Sequence, residues 1–436
     1  ISSLPDKDAS YPGNFDYSSE YFFQNDSLAE SELTAWEAVA YENGNVFFER
    51  SSNRLRYRKM FCWGRHAGGR RWKDFLSQPG AGDYLEIQAG MAPTQLHGLQ
   101  MPPHSEWDFV QCFGGCQVSA EASQAFCGEW EAGRRQMKQL VDEYIPENEL
   151  HKIYGLYRQL GTQQIEKLLV CADGWGALEL RRRELHCEEA APAGMEFPAN
   201  SLTLEQEDWL HLLEWGYLPE PVKNHDTFSW LVSAPWLDLL RQSLASGKPE
   251  ADHWYSRLQF GVMLYEQGQY QQALEQWQQS LAWRENPLAY RNLGYHDWRA
   301  GNWDKALEWY QKIFSLNLFS FDCAYAEEYL ELLLQLHCYQ EVWDFYRAYE
   351  QVDVSPRFRV LVGRAAVELE QLDFVEQVLE AGYPQLKEGE NWLTDIWYIA
   401  KAKELVRKQG LEDDSLLRDR VSRDYTPPAN LDFRMQ

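Results

Sequence analysis

The sequence predicts an α+β multidomain chain, in which an N-terminal antiparallel β-sandwich portion precedes an all-α helical repeat array. Three observations carry this reading. The 436 residues suffice for about three units of ~150 residues each. Up to about residue 117, short apolar and aromatic runs alternate with period two and are cut by Gly, Asn and Pro. From about residue 250 the chain repeats itself: Gly261, Gly268, Ala273 and Trp277 recur as Gly294, Gly301, Ala306 and Tyr310, each 33 residues on. The boundaries that follow are 1–117 for the β-portion, 118–245 for a helical connector, 246–410 for the repeats and 411–436 for a tail.

Taken in order, the expected strands are Trp36 to Tyr41, Val46 to Glu49, Arg56 to Trp63, Tyr84 to Ala89 and Trp107 to Phe113. Between the first two, Asn43-Gly44 signals a hairpin, because that pair adopts positive φ at low cost. The stretch Gly64 to Arg71 reads as a cationic loop holding Arg65, His66, Arg70 and Arg71 between Trp63 and Trp72. Gln136 to Tyr144 and Glu147 to Gln159 show helical spacing, and Pro192, Pro198, Pro219 and Pro221 mark a looser connection. In the repeats the small residues imply close packing: Gly261 and Ala273 let paired helices approach, and Trp277 fills the gap to the next pair. Weaker units follow, with Val342 and Tyr346 thirty-six residues beyond Ala306 and Tyr310, and Phe374 thirty-five beyond Tyr339. These, with the helices before residue 250, are needed to complete a stable stack.

Composition narrows the functions. A net charge of −26 opposes binding to a phosphate backbone and to an anionic membrane surface. No run of about 18 apolar residues suggests a membrane span. The first residues, which do not begin with Met, lack the basic and apolar regions of a signal peptide. Eight scattered cysteines without CxxC pairs read as free thiols of a reducing cytoplasm. Neither a metal constellation nor a phosphate-cradling loop is visible, so no cofactor is expected. The aromatic excess of 19 Trp, 24 Tyr and 20 Phe suits both sugar stacking and repeat packing.

The 33-residue recurrence resembles the tetratricopeptide repeat, a helix-turn-helix unit of about 34 residues. Upstream, RLRYRKMFCWG, GGRRWKDFL, GDYLEIQAGMAPTQL and MPPHSEWDF stand in order between Arg54 and Phe109, and the tail ends PPANLDFRM. With the repeats, these motifs resemble the DUF5107 family, in which a galactose-mutarotase-like β-supersandwich is joined to a repeat array. The resemblance implies a carbohydrate ligand on the β-domain and a protein partner on the repeats.

Leu85-Glu86-Ile87-Gln88, then Thr94-Gln95 and Met101-Pro102-Pro103, are similar to the late strand of aldose mutarotases. That likeness implies that Glu86 is the base acting on the anomeric hydroxyl. Two departures stand beside it, Ala89-Gly90 for a Trp-Pro pair and Thr94 for an Asn. Only 85 residues precede Glu86, fewer than such a sandwich places before its Glu. The resemblance therefore implies that part of the sandwich is absent from this chain, is supplied by another polypeptide, or is shortened in this subfamily.

Strand periodicity independently puts Tyr84, Glu86 and Gln88 on one face, an aromatic, a carboxylate and an amide suited to a sugar cleft. Trp63, Arg65, His66, Gln95 and His97 complete the expected substrate-binding set. The reaction would be mutarotase- or epimerase-like. Glycoside hydrolysis needs a second carboxylate, for which Asp74 and Asp83 are the candidates. The alternative is a non-catalytic repeat scaffold for protein assembly.

Overall fold

The computed structural model describes the backbone of 19–23 and residues 34–41, 43–81, 85–94, 97–126, 128–189, 194–221, 229–316, 321–382, 387 and 389–434. The chain divides into two compact units. One comprises Ile1–Gly161 with Leu386–Gln436, and the other Thr162–Gln385. The connector expected over 118–245 is therefore shared between the units, and the last helices belong with the β-portion.

In the first unit, β1 (Ser19–Phe23), β4 (Tyr57–Trp63) and β5 (Leu85–Gly90) form one antiparallel sheet in the order β1-β4-β5. A second antiparallel sheet has the order β2-β3-β6, from β2 (Trp36–Ala40), β3 (Asn45–Ser51) and β6 (Gln111–Gln117). The Asn-Gly turn forms as expected: Gly44 has φ +84° and its N–H donates to the Tyr41 carbonyl at 2.9 Å. The last strand departs from expectation, beginning at Gln111 rather than Trp107 and running through Gly114-Gly115. Glycine is required there, because a Cβ on Gly114 would lie 2.4 Å from the Phe48 ring.

One face of the second sheet carries Val46 and Phe48. It packs on Met137 and Val141 of α3 (Trp130–Tyr144), on Ile145, and on Leu150 of α4 (Glu147–Gly161). The short α2 (Ala120–Phe126) precedes them. The cationic loop expected after Trp63 is instead mostly helix, α1 (Ala67–Leu76). Its indole, Trp72, is fully buried and stacks on Trp63 at 5.7 Å. The chain end closes this layer. The Trp72 indole N–H donates to the Phe433 carbonyl at 3.1 Å, and a Cβ on Gly68 would stand 1.7 Å from the Arg434 carbonyl oxygen. The returning segment also includes α16 (Trp392–Gln409) and α17 (Ser415–Asp424). Thr394 of α16 donates its hydroxyl to the Leu431 carbonyl at 2.5 Å.

Among the described residues, the second unit is all helical. It opens with α5 (Gly174–Leu185), α6 (Leu204–Trp215) and α7 (Ala234–Ala245), so the proline-rich stretch read as loose holds ordered helix. Four helix pairs follow: α8 (Trp254–Glu266) with α9 (Tyr270–Trp283), α10 (Pro287–Arg299) with α11 (Trp303–Ser315), α12 (Cys323–Gln335) with α13 (Tyr339–Ala348), and α14 (Pro356–Glu368) with α15 (Leu372–Ala381). A Cβ on Gly261 would meet the Trp277 indole nitrogen at 2.4 Å, and one on Gly294 would meet Tyr310 at 3.0 Å. Gly268 and Gly301 take positive φ in the turns within their pairs. A continuous core runs from Leu178 through Trp209, Trp236 and Tyr255 to Leu293, so the preceding helices do complete the stack.

Candidate functional site

Glu86 lies on the edge strand β5, exposed, directly across from Phe61 of β4, and Gln88 lies across from Lys59. The Gln88 amide donates to the Glu86 carboxylate at 2.9 Å, so the two share a face. The opposite face carries Leu85 and Ile87, packed on Met60 and Cys62. Tyr84, Gln95 and Asp83 lie outside the described residues.

The other predicted residues are dispersed. Trp63 is only 1% exposed, edge-on to Phe61 at 4.9 Å and stacked on Trp72. Its indole offers no surface to a sugar, which takes it out of the expected substrate-binding set. Its aromatic face is used to seat α1. Arg65 is exposed and His66 half-buried at the N-terminus of α1. His97 is exposed, its Nδ1 2.8 Å from the Thr94 hydroxyl. Asp74 is exposed on α1, where it acts electrostatically on Arg71.

Two arrangements were not anticipated. The first is a buried ionic cluster beside β3. Glu37 and Glu49 are directly opposed across β2 and β3. Glu49 is 1% exposed, ion-paired to the Arg58 guanidinium, and accepts from the Gln111 amide at 3.1 Å. Arg58 also donates to the carbonyls of Leu55 (2.6 Å) and Ala35 (2.8 Å) and to the Ser51 hydroxyl. Burial, then the charge of Glu49, pushes the Glu37 carboxyl up to about 8, against the opposing pull of Arg58. A carboxyl in that range is largely protonated at neutral pH. Strand alternation alone hides this cluster, because two glutamates in a half-polar run read as a solvated face.

The second is a cleft of about 560 Å³ within the first unit, lined by Arg54, Arg56, Met91, Leu99, Trp107, Asp108, His151 and Tyr154. None of the predicted site residues lines it. Arg54 and Trp107 fall in motifs visible in the sequence, but the α4 residues that complete the wall come from about 45 residues further on and carry no local signal.

In the second unit, the first helices of successive pairs share one face and are tied to one another by polar side chains. The Tyr265 hydroxyl sits 3.3 Å from His296 Nδ1. Arg291 makes a bidentate pair with Glu328 at 2.6 and 2.9 Å, and Glu328 also accepts from Tyr310. Trp298 donates to Gln335 at 2.9 Å, and Arg357 to Glu331 at 2.9 Å. Trp298 is half-buried on this face. The result is an aromatic and charged surface on a rigid apolar core.

Comparison with solved structures decides the class of this unit. A TPR-domain containing protein from Parabacteroides distasonis superposes with a TM-score of 0.50 over 95% of this chain, at 12% identity. The chain folds as an α+β protein with a tetratricopeptide-type helical array. It spans 59% of the length of that solved protein. A tetratricopeptide repeat protein from Parabacteroides merdae is 18% identical, with a TM-score of 0.30, covering 45% of this chain and 75% of its own. No protein-family model and no curated protein sequence matches the chain. No described helix is long and apolar enough to cross a membrane.

Proposed function

We propose that the protein is a scaffold whose helical repeats hold a polypeptide partner on the shared face of α8, α10, α12 and α14. The single observation that carries this reading is the ladder from Tyr265 through Arg291, Trp298 and Glu328 to Arg357. Aromatic and arginine side chains, fixed by their own hydrogen bonds, lose little entropy when a partner docks, and such residues dominate protein interfaces. A photo-crosslinking amino acid placed at Tyr295, Trp298 or Gln335 tests it, with Gln278 and Lys305 on second helices as controls. The expected result is a crosslinked polypeptide, identified by mass spectrometry and reproduced with the purified partner, at the first-helix sites alone. Equal crosslinking at the controls would overturn the assignment.

The DUF5107 resemblance supplies a second reading, a mutarotase-like β-unit in which Glu86 acts on a sugar. The hydrogen-bonded Glu86–Gln88 pair on an exposed strand supports it. Calorimetry with a panel of neutral sugars, followed by turnover measurements on Glu86→Gln, tests it. Binding retained with turnover lost would assign Glu86 as the base, whereas unchanged turnover would remove it.

A further inference from the structure

Arg54 and Arg56 stand out in a chain of net charge −26. Sixty-seven carboxylates compete for 41 cations, yet among the described residues neither guanidinium forms an ion pair. Arg54 lies over the Trp107 indole at 5.3 Å and Arg56 over the Tyr57 ring at 5.4 Å. The Arg56 Nε is buried without a hydrogen-bond partner. Both line the 560 Å³ cleft, together with His151. Among the described residues its lining holds one carboxylate, Asp108, whose Oδ1 accepts from Tyr154 at 2.5 Å; its Oδ2 stands 3.4 Å from Arg158 and is buried without a hydrogen bond, open to a ligand hydroxyl. Burial of the Arg56 nitrogen leaves a donor whose desolvation is compensated only when an acceptor enters.

We infer that this cleft binds a small hydroxylated anion, a carboxylate or phosphate carried on a sugar-sized body. The arginines meet the anion, for which their planar forks are suited. Met91, Leu99 and the Trp107 ring supply an apolar wall, and His151, Tyr154 and Asp108 supply polar groups for hydroxyls. The volume falls in the range of small-molecule sites, roughly 300–1,000 Å³. Neither Glu86 nor Gln88 lines the cleft.

Titration calorimetry on the full chain tests this, with glucose 6-phosphate, gluconate, glucose and inorganic phosphate as probes and Trp107 fluorescence as a second readout. Glucose 6-phosphate, gluconate or both are expected to bind at least ~10-fold more tightly than glucose or inorganic phosphate, because charge-assisted hydrogen bonds add to the wall contacts. Which of the two is tighter identifies the anionic group. Arg54→Gln and Arg56→Gln should each weaken binding by about tenfold or more, with unchanged circular dichroism and thermal unfolding. Trp107→Phe should abolish the fluorescence response. Equal binding of glucose, equal binding of inorganic phosphate, no binding of either anionic sugar at 10 mM (roughly the weakest affinity one such pair supports), or affinity unchanged in both arginine variants would overturn the inference.

Discussion

The two units are built by opposite strategies. In the repeats, the close contacts join neighbours: Gly261 receives Trp277, Gly294 receives Tyr310, and Arg291 reaches Glu328 in the next pair. In the β-containing unit, the decisive contact spans the chain, Trp72 to Phe433, and α1 is held between a strand and the returning terminus. A solenoid adds stability pair by pair, so damage stays local, whereas a unit closed by its own ends stands or falls together. A local array exposes a long regular face for partners. A sheet-and-helix unit closed over long range can instead line a cleft from distant segments and bury charge.

Cutting the long-range closure should produce the largest effect. Trp72→Ala is expected to cost the first unit about 3–5 kcal/mol, the range for removing a buried large aromatic. Hydrogen exchange followed by mass spectrometry should show lost protection in β4, α1 and residues 429–434, with 254–381 unaltered. Uniform loss over both units would contradict their separate modes of closure.

The buried ionic cluster gives the next largest effect, and its sign follows from the Glu37 carboxyl. Its folded value of about 8 lies above the ordinary 4.5, so the folded chain keeps a proton that the unfolded chain releases. That contribution is fully present below pH 4.5 and is lost as pH rises through about 8. The loss is of order a few kcal/mol at most, since each tenfold change in proton affinity is worth about 1.4 kcal/mol and Arg58 shares the cluster. Urea midpoints for unfolding of the first unit should fall between pH 5 and pH 9, and Glu37→Gln should flatten that component. An unchanged slope in the variant would remove Glu37 as its source.

Gly261→Leu should cost roughly 1–3 kcal/mol by overpacking against Trp277. Its effect on hydrogen exchange should fade along the array, strong in α8 to α10 and small in α14 and α15. Spread of the effect to the last pair at full strength would show that the repeats unfold as one. Smallest of all, Glu86→Gln should change stability by no more than ~0.5 kcal/mol in thermal unfolding, because an exposed edge-strand carboxylate buries little. A larger loss would mean that the strand face is structurally committed.

Much of the architecture was legible. Alternation located four strands to within one or two residues, Asn43-Gly44 marked its turn, and the 33-residue recurrence located the first two helix pairs through the residues that touch. Legibility failed where the deciding atoms come from far along the chain. Gly68-Gly69 reads as a loop until the Arg434 carbonyl is seen above it, and Gly114-Gly115 reads as a strand end until Phe48 is seen beneath it. The candidate sites show the same limit. Glu86 and Gln88 share a face because a strand alternates, which is local. Trp63 was taken from solvent by Trp72 on a helix that the sequence did not announce.

What the sequence determined by itself is therefore whatever repeats or alternates: the fold class, the helix pairs and the polarity of strand faces. Tertiary structure alone decided which charges are buried, that Glu37 faces Glu49 and Arg58, and that Arg54, Arg56, Trp107 and His151 line one cleft. The physical reason is that backbone periodicity is set within a few residues, whereas desolvation and charge pairing depend on whichever distant segment comes to cover them.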